Sequence, residues 1–113
     1  MSQFAKTPEP PYYAVIFTAQ RTPGDQGYEV TADRMVELAR DMPGYLGIES
    51  ARDADGLGIT VSYWASEADI ARWKRHMEHQ SAQNRGKREW YEHYELRVAK
   101  VERAYSGPEG RMV

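Results

Sequence analysis

No cysteine occurs in the 113 residues. Its absence excludes disulfides, thiolate nucleophiles and sulfur-held zinc or iron–sulfur centres, and it fits a reducing compartment. Long apolar runs are missing too. No uncharged stretch is long enough to span a bilayer, and the opening MSQFAKTPEPPYY lacks the apolar core of a secretory leader. A cytoplasmic protein with no membrane partner is therefore expected. Nor does one sign of charge dominate. Lys+Arg number 15 against 17 Asp+Glu, a formal net charge of -2, so nothing draws the chain generally to nucleic acid. GxSxG, Walker-type and HExxH patterns are absent, and Gly24 and Gly27 flank no phosphate loop.

What remains is the balance of a folded globular protein, 41% hydrophobic and 28% charged, in a length that holds one domain. Residues 1–11, with Pro8, Pro10 and Pro11, read as a disordered or extended tail. Residues 12–105 form the domain and 106–113 a Gly/Pro-rich C-terminal tail.

YYAVIFTA is a strand with apolar residues in both phases, Tyr13, Val15 and Phe17 against Tyr12, Ala14 and Ile16. Tyr28, Thr31, Ala32, Met35, Leu38, Ala39 and Met42 recur at helical spacing, and Pro43-Gly44 stops that helix. YLGIESARDADGLGITVSYW predicts a hairpin turning at Asp55-Gly56. Ser66 and Asp69 form a capping pair that starts a second helix at about Glu67, and Gly86 predicts a break in it. YELRVAKVERAY alternates like a last strand, with Tyr94, Leu96 and Val98 in one phase and Ala99, Val101 and Tyr105 in the other. The change of phase predicts a bulge or burial on both faces.

This order, βαββαβ, predicts an α+β ferredoxin-like fold, an antiparallel sheet with both helices on one face. The other face would then carry an apolar patch larger than a soluble monomer usually exposes. A second copy packing sheet to sheet would cover it, so a homodimer is expected, with a cavity between helices and sheet in each protomer.

Three stretches, RMVELARDMPGYLGIESARD, GITVSYWASEADIARWKRHMEH and WYEHYELRVAKVER, together resemble the antibiotic biosynthesis monooxygenase domain family, a group of dimeric α/β barrels. The resemblance implies cofactor-independent oxygenation of a planar phenolic or quinone-like substrate by dioxygen. A base, hydrogen bonds and a dry pocket would suffice for it. It also implies an alternative, haem binding or degradation, known in a related branch that carries an asparagine on the first strand, a tryptophan on the later helix and a ligating histidine beyond it. Trp73 matches that tryptophan. The first strand here has no asparagine, and His76 and His79 lie closer to Trp73 than that ligand does. A third reading is a non-catalytic dimeric domain that binds a small molecule.

Helical geometry sorts the candidates. Ile70, Trp73 and Met77 share one stripe, so Trp73 either fills the core or walls the pocket beside Met77. His76 lies about 60° around the helix from Trp73 and His79 about 120°, which makes His76 the better-placed base. Tyr63 and Trp64 point to opposite faces of their strand, so only one can line the pocket. Trp90 and His93, in the WYEHYE cluster with Tyr91 and Tyr94, are an aromatic wall or else a dimer edge or core cap, and Phe17 on the first strand completes the expected substrate-binding set. Arg21 and Arg52, near loop ends, could orient an anion. HMEH has i, i+3 spacing and would need Glu78 or His93 as a further ligand, so no metal site is expected.

Overall fold

A computed structural model describes residues 4–24, 28–83 and 91–108; the side chains of 28–31 and 78–83 lie outside that description. The elements are β1 (Tyr12–Arg21), α1 (Tyr28–Arg40), β2 (Tyr45–Arg52), β3 (Leu57–Trp64), α2 (Glu67–Gln83) and β4 (Tyr91–Val101). The four strands make one antiparallel sheet in the order β2-β3-β1-β4. This is the α+β ferredoxin-like arrangement expected from the order of elements. The expected helix break at Gly86 lies outside the described residues.

Local chemistry explains the element ends. Gly44 takes a φ of 81°, the left-handed geometry that releases the chain from α1 after Pro43. Its carbonyl accepts the Ala65 N–H at 2.8 Å, so the α1–β2 turn is tied to the β3–α2 junction. A side chain at position 44 would overlap the Asp69 carboxyl, so glycine is required there twice over. Ser66 caps α2: its Oγ accepts the Asp69 N–H at 3.1 Å and donates to Asp69 Oδ2 at 2.8 Å. The hairpin turns at Asp53–Gly56, where Asp53 Oδ1 accepts the N–H groups of Asp55 and Leu57, each at 2.9 Å.

Cross-strand partners share a face, so the register sorts the side chains. Trp64 pairs with Tyr13, Ser62 with Val15 and Thr60 with Phe17. These residues face the helices, because the core joins Val15 and Trp64 to Ala39 of α1, with Ile70 and Trp73 of α2 packed on them. The outer face carries Tyr12, Ala14 and Ile16 beside Tyr63 and Val61, so β1 is apolar on both sides as its two phases imply.

The last strand differs from the sequence expectation. It begins at Tyr91 rather than Tyr94 and ends at Val101, because pairing with β1 continues through an irregularity at Gln20/Arg21. Tyr94, Leu96 and Val98 point to the helix side and remain about half exposed. The reason is placement: the main helix–sheet contacts are those of α1 with β2 and of α2 with β3. Exposed apolar surface therefore occurs on both faces, with Leu57 and Ile59 on the outer one.

Candidate functional site

The site grows from the last residue of β3. Trp64 is fully buried, 0% exposed, and its indole N–H donates to Ser62 Oγ at 2.9 Å, two residues back on the same face. Tyr45 meets its ring edge-on at 5.7 Å. Trp73 then stacks on Trp64, centroids 5.9 Å apart and planes inclined by 25°. His76, one helical turn later, stacks on Trp73 at 5.6 Å with the same 25° inclination. Three rings thus form a continuous ladder from sheet to helix.

His76 ends that ladder with an exceptional atom. Its Nε2 is buried and has no hydrogen-bond partner among the described residues. Leaving a buried polar atom unpaired costs about 1–3 kcal/mol, so a water, ion or ligand group that pairs it is favoured. An imidazole nitrogen in this state can accept a proton from a ligand hydroxyl, donate to a ligand oxygen, or bind a metal.

Next to the ladder lies an apolar shelf. Phe17 meets Tyr91 and Tyr94, both with centroids 5.4 Å away, and Leu96 sits directly across from Phe17 on β4. Val15, beneath the ladder, and Phe17, on the shelf, are two residues apart on one face, about 7 Å along the strand. The half-exposed Tyr94, Leu96 and Val98 form the open side of the shelf.

The other sequence candidates fall elsewhere. Met77 is half-buried on α2. His79 is in α2 with its side chain outside the described residues, and Trp90 lies outside them altogether. Tyr63 is on the outer face, where its hydroxyl donates to Glu49 Oε1 at 2.6 Å. Burial, with the neighbouring Glu49 carboxylate, pushes the Tyr63 phenol up to about 12. His93 is also on the outer face, largely exposed, with Nε2 2.7 Å from Glu95 Oε2. The sheet therefore separates Tyr63 and His93 from the ladder.

Arg21 and Arg52 border an open cleft of about 420 Å³ at the hairpin end of the sheet. Seven β3 residues lie between that end and Trp64, about 23 Å of strand. Both arginines are anchored to backbone carbonyls, Arg21 to Gly24 and Arg52 to Gly56. Among the described residues no three His, Asp or Glu side chains come together to hold a metal ion. No described helix is long and apolar enough to cross a membrane.

Sequence reasoning did not single out Ser62 or Tyr45, and it placed Leu96 only in the apolar phase of the last strand, whereas Tyr91 belongs to the aromatic cluster it read in WYEHYE. Ser62 carries a signal that two-residue periodicity could supply, since it shares the face of Trp64.

These features sit within a recognisable lineage. Residues 11–85 match the sequence profile of antibiotic biosynthesis monooxygenases, and the chain belongs to that family. It is 58% identical over 103 residues to the uncharacterized protein YqjZ of Bacillus subtilis (strain 168), covering 91% of this chain and 90% of that protein. The fold resembles the crystal structure of PA3566 from Pseudomonas aeruginosa, with a TM-score of 0.65 at 19% identity over 86% of this chain and 98% of that one. It also resembles SO0527 from Shewanella oneidensis, with a TM-score of 0.67 at 12% identity over 89% of this chain and 100% of that one.

Proposed function

We propose that the protein is a cofactor-independent monooxygenase that oxidises a planar phenolic substrate with dioxygen, using His76 as the base. The observation that carries this reading is the buried, unpartnered His76 Nε2 at the end of the Trp64–Trp73–His76 ladder. A flat apolar substrate would lie on the shelf of Phe17, Tyr94 and Leu96, with its hydroxyl turned toward that nitrogen. Transfer of the hydroxyl proton to Nε2 leaves a phenolate rich enough in electrons to reduce dioxygen by one electron. Recombination of the two radicals forms a carbon–oxygen bond, and loss of water leaves a quinone. One oxygen atom of dioxygen enters the product, the other leaves as water, and the substrate supplies every electron. Apolar walls serve this chemistry by keeping bulk water from the anion and its radical.

The working unit in this reading is a homodimer, supported by the exposed Leu57 and Ile59 beside Ile16 and Val61 on the outer face. A haem-binding protein is the second reading, because the same unpartnered Nε2 could serve as an axial ligand. The phenol reading is favoured over it. The helix-facing residues of β1 are Tyr13, Val15, Phe17 and Ala19, with no asparagine among them to provide a second polar anchor.

Oxygen uptake with a panel of electron-rich polycyclic phenols tests the proposal. Turnover by the wild type, reduced about 10²–10⁴-fold in His76→Ala, is the expected result. Saturable binding without turnover across the panel would replace the enzyme with a small-molecule-binding domain. A stoichiometric Soret shift on hemin titration that disappears in His76→Ala would favour the haem reading.

A further inference from the structure

The outer face of the sheet carries an arrangement that the proposed chemistry does not use. Residues 4–11 run back across the corner formed by β2 and β3. The Ala5 N–H donates to Glu49 Oε2 at 2.9 Å, while the other oxygen of that carboxylate accepts the Tyr63 hydroxyl at 2.6 Å. Thr7 Oγ1 and the Tyr12 hydroxyl share a hydrogen bond at 2.9 Å. Tyr12 packs edge-on against Tyr63 at 5.8 Å and is only 4% exposed, although it lies on the face without helices.

Gly47, opposite Tyr63 in the ladder, makes room for this contact. A Cβ at position 47 would sit 2.8 Å from the Ala5 methyl, closer than two side-chain carbons approach each other. Gly47, Glu49 and Tyr63 thus form a seat for one small residue and one backbone N–H. Pro8, Pro10 and Pro11 restrict the segment that fills it, which lowers the entropy lost on docking.

We infer that residues 4–11 are an intrachain strap seated on Gly47, Glu49 and Tyr63, and that the strap completes the outer face for a second copy of this chain. The inference rests on the homodimer reading above. Cores of protein interfaces are depleted in charge, and a carboxylate buried there without donors is costly. Without the strap Glu49 would meet such an interface with the Tyr63 hydroxyl on one oxygen alone; the strap covers the carboxylate and gives its other oxygen a backbone donor. Past the strap, Ile16 and Val61 are direct cross-strand partners, with Ile59 and Leu57 following on the same side. At its far end the strap presents Phe4, 82% exposed. The covered corner, the apolar strip and Phe4 make a surface suited to a matching surface on another copy.

Trypsin reads the strap through the Lys6–Thr7 bond, since proteolysis reports how often a docked segment opens. In the wild type that bond should be cut at least about tenfold more slowly than in a free peptide of the same sequence. Gly47→Ala, which wedges out the Ala5 methyl, and Glu49→Ala should each restore most of the peptide's rate, with the fold checked by circular dichroism. Removal of residues 2–8 should weaken the dimer about tenfold or more by sedimentation. Cleavage of the wild type at the peptide's rate, or no acceleration in either variant, overturns the docking. A dimer that loses no affinity on removal of residues 2–8 overturns the role in assembly. A wild type that is monomeric throughout overturns the homodimer reading as well, whereas the trypsin comparison decides the docking independently.

Discussion

Trp73 and His76 lie one turn apart on α2 with their rings stacked at 5.6 Å. Residues spaced i, i+3 share a helix face, so the backbone alone brings the rings together. Trp64 then fixes Trp73 from the sheet side at 5.9 Å. The position of the imidazole is thereby set by the core of the domain. Catalytic groups held by packed elements keep their geometry better than groups on loops.

Replacement of Trp73 by alanine removes two ring contacts and leaves a cavity. The expected loss is about 3 kcal/mol, the lower end for such truncations because Trp73 is half-buried. Urea denaturation measures it. Trp73→Phe, which keeps an aromatic face between Trp64 and His76, should cost less than half as much.

Ser62→Ala should cost about 1–3 kcal/mol although only one oxygen is lost, because the buried Trp64 indole N–H is left without its acceptor. The tryptophan fluorescence spectrum should shift as well. A change below about 0.5 kcal/mol would mean that another acceptor serves that N–H.

Gly44→Ala combines two penalties. The left-handed φ of 81° costs a residue with a Cβ about 1–2 kcal/mol. The added methyl also meets the Asp69 side chain, which must move away from its bond with Ser66. A double-mutant cycle with Asp69→Ala should show coupling between the two positions, since loss of the carboxyl removes the closest contacts and leaves only the Cβ of residue 69, 2.6 Å away.

The Tyr63 phenol is raised from 10.0 to about 12 in the folded chain. A group whose folded value exceeds its unfolded one contributes stability that is complete below the unfolded value. That contribution declines as pH rises from 10 and is gone above about 12. Phenolate absorbance during alkaline titration should show one late tyrosine, absent in Tyr63→Phe. The stability of Tyr63→Phe should accordingly fall less steeply than that of the wild type above pH 10.

Much of the architecture was legible in the chain. The capping pair Ser66 and Asp69, the Pro43-Gly44 stop and the Asp55-Gly56 turn are local chemistry, and the structure uses each as its residue types imply. The stripe of Ile70 and Trp73 likewise follows from helical spacing and meets the core. Less legible was which of Tyr63 and Trp64 would face the helices, because the choice depends on register with β1 and on the irregularity between Tyr45 and Gly47. The half-exposed shelf of β4 was hidden for a similar reason. A strand's alternation reveals its two faces but not which one the helices will reach. Seating of Ala5 on Gly47 joins residues far apart in sequence, and no local pattern marks it.

The central claim is that His76 takes the substrate's proton. It is tested most directly without oxygen, by the absorbance of a polycyclic phenol bound to the protein at a pH below the phenol's own pKa. The account predicts a phenolate spectrum in complex with the wild type and a neutral phenol spectrum in complex with His76→Ala at equal occupancy. A phenolate spectrum that persists unchanged in His76→Ala would contradict it.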